Sequence, residues 1–130
     1  MSVEMMSLAL STLLLLLLVL IAASLHIQQA GFKAVMGNRE AVAEPSGIAG
    51  RARRAHANLL ENLLPFAVAV LMAQALGVSS SYTVAGAWLF LGGRVAHGVF
   101  YLLGVTVLRT LAFFTGLAGI ALILVPLLFR

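Results

Sequence analysis

The chain has 130 residues, of which 62% are hydrophobic and 9% charged, and its mean hydropathy of +1.10 lies outside the range of ordinary soluble domains. A formal net charge of +4 comes from only eight Lys and Arg, which form no solvated basic tract, so nucleic acid is excluded as a partner. With no cysteine, a disulfide framework, a thiolate metal site and a protein-borne thiol nucleophile are excluded too, and no metal site is expected.

Crossing a hydrocarbon core of roughly 30 Å takes about 20 mostly apolar residues per helix. Four such helices with short connections use nearly the whole chain, so residues 1–130 are expected to form a single transmembrane domain. The first helix is expected over about 7–30, where STLLLLLLVLIAASL is apolar all round and suits contact with lipid. The start, MSVEMMS, is acidic and the run is of spanning length, which argues for a retained helix rather than a cleaved signal.

GFKAVMGNREAVAEPSGIAG follows, rich in Gly, Pro, Asn and acids, and reads as a connecting loop with room for a short helical extension. A second helix is expected over 51–77, beginning RARRAHANLLENLLPF. GVSSSY is a tight polar turn into a third helix over 82–104, and a fourth is expected over 107–128. Pro65 and Pro126 fall inside helical patterns, which membrane helices tolerate as kinks.

Lys33, Arg39, Arg51, Arg53, Arg54 and Arg109 all fall on the side shared by the first and third connections, opposite the terminal Arg130. The positive-inside rule puts those two connections in the cytoplasm and both termini outside. The expectation is a multi-pass integral membrane protein, in the inner membrane if the source is bacterial.

Residues three or four apart share a helix face. Arg51, Arg54, Asn58, Glu61 and Pro65 make one stripe; Arg94, His97 and Tyr101 make another on the third helix; Arg109 and Thr110 open the fourth, with Phe113 one turn on. A charge at mid-membrane costs about 2.5 to 3.5 kcal/mol on insertion scales. Arg54, Glu61, Arg94 and Arg109 together would cost roughly 10 kcal/mol facing lipid, comparable to a domain's whole stability. They must face protein, water or a ligand, or snorkel to the interface. On a structural reading, Arg51 and Arg53 are interfacial anchors, Glu61 pairs with Arg94 inside the bundle, and His56 caps or packs. On a functional reading, three helices aim basic groups at one membrane face with a single acid among them, and the surplus charge calls for a small, zwitterionic, carboxylate-rich ligand.

These residues resemble a known family, the membrane-associated proteins in eicosanoid and glutathione metabolism (MAPEG). The resemblance lies in RRAHANLLENLLPF, in GGRVAHGVFY and in LRTLAFF, and with the order of segments it covers nearly all of the chain. It implies an all-α, four-transmembrane-helix bundle assembled as a homotrimer, with glutathione bound as co-substrate between protomers near the cytoplasmic side. Arg54, Asn58, Glu61, Arg94, His97 and Tyr101 would bind glutathione, Arg109 would sit by its sulfur, and Thr110 takes a position where some members place a serine implicated in catalysis. Relative to prostaglandin-forming members, Ala57 replaces a second arginine, Ala41 an aspartate and Phe113 a tyrosine, one residue is missing between Tyr101 and Arg109, and helix one offers only Gln28, Gln29 and Lys33. Prostaglandin synthesis is therefore disfavoured. The implied function is a glutathione transferase or peroxidase acting on lipophilic electrophiles or lipid hydroperoxides that arrive through the membrane lipids. The alternative is a non-catalytic lipid- or glutathione-binding scaffold of the same fold, and a small transporter or channel is the weakest reading for want of inverted repeats.

Overall fold

A computed structural model describes residues 1–129; Arg130, the one basic residue expected on the far side, lies outside them. The described residues form four long helices and one short one: α1 (Val3–Ala30), α2 (Phe32–Met36), α3 (Gly47–Ala75), α4 (Ser81–Leu103) and α5 (Thr106–Leu128). The short α2 is the helical extension that the first connection allows. The second long helix begins at Gly47 rather than near Arg51, so the arginine-rich stretch lies wholly within α3.

Local chemistry sets the ends. The Ser2 hydroxyl accepts from the Met5 N–H at the start of α1. At α4, Ser80 and Thr83 make a reciprocal capping box, each side chain accepting from the other's backbone N–H. Both α3 and α4 close on a glycine in the left-handed region, Gly77 (φ 64°) and Gly104 (φ 76°). In each, the following N–H reaches back to the last full turn, Val78 to Ala73 O and Val105 to Phe100 O, both at 2.9 Å. Pro65 sits inside α3 without ending it.

Helices α1, α3 and α5 are each long and apolar enough to cross a membrane. The same number of residues, 23, makes up α4 and α5, but Arg94 and His97 lower the hydropathy of α4, and both are buried inside the protein. The outer surface is oily, with Leu13, Leu20, Leu64, Leu71, Leu111 and Phe114 all exposed, as expected of faces that meet lipid or another subunit.

Helix α4 packs against the other three long helices, and α1 and α5 lie on opposite sides of the α3 and α4 pair. The core centres on Phe66 and Phe90, whose rings stack 3.7 Å apart at 8°, with Leu63, Val70, Ile120 and Ile123 around them. The expectation that α1 is uniformly lipid-facing is corrected here: Glu4, Ser7, Ser11 and Leu18 form a buried edge. Ser7 Oγ donates to Ala87 O on α4 at 2.8 Å.

The α4 and α5 backbones meet through glycines. A Cβ on Gly119 would lie 2.5 Å from Gly86 O, and one on Gly93 would lie 2.8 Å from Gly116 N. Those contacts are to backbone, which cannot yield without separating the helices. Gly119→Ala is expected to cost about 1 to 3 kcal/mol, read as a lowered unfolding midpoint in detergent, while Gly92→Ala, whose Cβ meets nothing within 4 Å, keeps the midpoint or raises it slightly, since alanine is the better helix former.

Candidate functional site

Near the end of the bundle where α4 turns into α5, the polar stripes of three helices converge. The three-then-four spacing on α4 puts Arg94, His97 and Tyr101 on one edge. Arg94 lies deepest, 1% exposed. Its Nη1 donates to Asn58 Oδ1 on α3 at 3.0 Å, and its Nη2 donates to Phe113 O on α5 at 3.0 Å. The guanidinium sits between the Phe90 and Phe113 rings, 5.3 and 5.2 Å from their centroids, within range of a cation–π attraction. Gly116 makes the space: a Cβ there would fall 2.4 Å from Arg94 Nη2.

One turn outward, His97 is also buried, and its ring meets the Tyr101 ring edge to face at 5.3 Å. Tyr101 then carries two cations. The Arg109 guanidinium, on the first turn of α5, lies 4.4 Å from the Tyr101 ring centroid, and that of Arg54, on α3, lies 6.0 Å away. Asn58, His97, Tyr101, Arg109, Thr110 and Phe113 line a cleft of about 200 Å³ open to the outside.

The electrostatics are lopsided. Among the described residues the one ion pair joins Arg53 to Glu44. Glu61 is exposed on α3 and makes no hydrogen bond or ion pair among the described residues, so the expected pairing of Glu61 with Arg94 does not form. Asn58 takes that place as a neutral acceptor. Arg54, Arg94 and Arg109 are left without a carboxylate partner among the described residues, which makes the cleft a concentrated positive site.

Of the residues singled out from sequence, Asn58, His97, Tyr101, Arg109 and Thr110 line the cleft, and Arg54 stands at its mouth over Tyr101. Arg94 lies behind the wall and holds it in place through Asn58. Glu61 is exposed on α3 and takes no part in these contacts. Thr110 Oγ1 donates to Thr106 O at 3.0 Å, so its proton is held by its own helix and the oxygen keeps capacity to accept. Arg51, expected as an interfacial anchor, donates from Nε to Leu102 O at 3.1 Å and so ties α3 to the end of α4. His56 is half-buried and borders a separate cleft with His26 and Arg39. Sequence reasoning missed Asn62, whose Nδ2 donates to Asn58 O at 2.8 Å, although its spacing of four from Asn58 was visible. It also missed the Phe113 carbonyl, which no side-chain pattern reveals.

An all-helical chain with membrane-length apolar helices and a basic cleft set between them belongs to the small multi-pass membrane proteins. More narrowly, the profile of the MAPEG family matches residues 7–129, and the chain belongs to that family. A comparison with curated proteins finds no match.

Because Asn58 caps a buried charge, its loss strands that charge. Asn58→Ala is expected to lower stability by about 1.5 to 3 kcal/mol, the range for a hydrogen bond to a charged group. Glu61→Gln, at an exposed position, stays within about 0.5 kcal/mol of the parent; unfolding in detergent micelles separates the two.

Proposed function

We propose that this protein is a glutathione-dependent transferase with peroxidase capacity, acting on lipophilic electrophiles or lipid hydroperoxides at the membrane. The observation that carries the reading is the acid-free stack of Arg54, Tyr101 and Arg109 over an open cleft. Family membership agrees with it. The γ-glutamyl and glycyl carboxylates of glutathione are the kind of anion that unpaired arginines attract, and guanidinium forks suit carboxylate geometry. Asn58 has Nδ2 to offer the ligand while Oδ1 is held by Arg94. Glu61, exposed and unpaired, suits the ligand's ammonium when a neighbouring protomer closes over α3.

In this reading the working unit is a homotrimer. Glutathione lies between protomers, since one protomer offers an open cleft of about 200 Å³, too shallow to enclose a tripeptide. All four long helices cross the bilayer, and the first and third connections face the cytoplasm in line with the positive-inside rule. Residues 1–130 act as one domain. The second substrate enters sideways from the lipid.

Arg109 is the residue we assign to the sulfur. A free thiol has a pKa near 8.5, and each unit of depression corresponds to about 1.36 kcal/mol in favour of the thiolate. A guanidinium beside the sulfur in a partly dehydrated cleft supplies one or two units. Its fixed charge then stabilises the anion that attacks the electrophilic carbon while the leaving group departs with the bonding pair. With its proton engaged by Thr106 O, Thr110 serves to accept a hydrogen bond from the ligand rather than to donate a proton. Arg94 acts as a positioning residue, holding Asn58 and the α5 backbone.

The engaged Thr110 hydroxyl is also the observation that favours a second reading, a lipid- or glutathione-binding scaffold without chemistry. Arg109→Ala separates the two. Turnover of an aryl halide or a lipid hydroperoxide at neutral pH is expected to fall about ten- to thirty-fold, with trimer size unchanged, because the thiol returns to its ordinary pKa near 8.5. The deficit should shrink as pH rises through that value, since the thiolate then forms without help. Turnover that is absent in the parent protein supports the scaffold, and turnover unchanged by the substitution removes Arg109 from the sulfur.

A further inference from the structure

The end of the bundle remote from the arginines holds a second polar site. Glu4, on the first turn of α1, is 3% exposed. Its Oε1 accepts from Thr83 Oγ1 at 2.6 Å and from Ser79 Oγ at 3.0 Å, while Oε2 is buried without a partner. A hydroxyl contact of 2.6 Å falls in the range of charge-assisted bonds to an ionised carboxylate. A buried carboxylate oxygen with no donor is costly to leave bare. Beside it opens a cleft of about 240 Å³ bordered by Ser2, Glu4, Gln74 and Ser79, with Val70 and Ala73 as its apolar wall.

The charge environment there is the reverse of the candidate active site. Glu4 makes no ion pair among the described residues, with Met1's amino group or any side chain. Gln74 lies in the last turn of α3, whose dipole directs its negative end into the same region. The acceptors with capacity to spare are Glu4 Oε2, buried and unpaired, which a turn of the carboxylate would bring to the cleft, and Gln74 Oε1, which takes one bond from Ser2 Oγ at 3.3 Å. What these atoms lack is N–H or O–H donors carrying positive charge.

One carboxylate balances one charge. No group of three or more His, Asp or Glu that could hold a metal ion occurs among the described residues, and a single carboxylate would leave half the charge of a divalent cation unbalanced. A bare monovalent ion would fill a small part of about 240 Å³. A quaternary ammonium has no N–H to donate. A primary ammonium on a short carbon stem meets each requirement: three donors, one charge, and methylenes for the apolar wall. The site also lies at the ends of α1, α3 and α4, which is where helices of spanning length meet headgroups.

We propose that this cleft binds a primary ammonium group, carried by an aminophospholipid headgroup or a free amine, with Glu4 as its counter-ion and Gln74 as a second acceptor. The site is independent of the thiol chemistry proposed above.

The test uses the full-length protein and reads its thermal unfolding midpoint. In nanodiscs of phosphatidylethanolamine the midpoint should exceed that in phosphatidylcholine of the same acyl chains, since binding to the folded state alone is stabilising. Glu4→Gln should erase the difference, and Gln74→Leu, at an exposed position, should reduce it; the second variant decides the matter if the first does not fold. Ethanolamine added in lipid-free detergent distinguishes the sources: a matching rise assigns the site to free amines, and no rise assigns it to the lipid. Equal midpoints in the two lipids with no response to ethanolamine, a difference that survives both substitutions, or a stabilisation by sodium that ethanolamine cannot displace would each overturn the proposal.

Discussion

A guanidinium is buried inside this bundle against neutral groups. Among the described residues Arg94 has no carboxylate partner; Asn58 from α3 and the Phe113 carbonyl from α5 accept from its two terminal nitrogens, two aromatic rings flank it, and a glycine on α5 vacates the volume it needs. Its Nη1 and Nη2 each meet one of these oxygens while Nε is buried without a partner, so the charge rests on two bonds and the loss of either is costly. Three helices are therefore constrained together at one point: shift any of them and the charge loses a bond. His97 and Tyr101, one and two turns along the same helix, inherit that rigidity, and so does the cleft they line.

The same constraint explains the polarity of the molecule. The deep arginine takes the Asn58 amide oxygen, and the guanidinium groups of Arg54 and Arg109 lie against the Tyr101 ring without a carboxylate partner among the described residues. The positive potential is concentrated at one end, and the buried carboxylate of Glu4 stands at the other, between hydroxyls of α4 and its preceding turn. The close glycine-to-glycine contact of α4 with α5 runs between these two ends and fixes their separation.

Much of this was legible in the sequence. The order of the long helices, the glycine and serine punctuation, and the stripe of Arg94, His97 and Tyr101 follow from helical periodicity and from the cost of charge in hydrocarbon, and three of the helices, α1, α3 and α5, are apolar enough to cross a membrane. Two parts were not. On the structural reading Glu61 pairs with Arg94 because opposite charges at the right depth invite it; Asn58, one turn earlier on the same stripe, takes that place instead, and side-chain spacing does not encode which member of a stripe turns inward. The buried edge of α1 was hidden because Glu4, Ser7 and Ser11 are sparse marks in a run of leucines, and their spacing gains meaning only once α4 lies against them.

The central claim is that the unpaired guanidinium groups create a site for an anionic thiol and ionise it. Equilibrium binding of glutathione to the purified protein in nanodiscs, followed by the ultraviolet absorbance of the thiolate, tests this most directly. The account predicts saturable binding with the bound sulfur ionised at neutral pH. Absence of binding, or a bound thiol that stays protonated until its ordinary pKa, would contradict it.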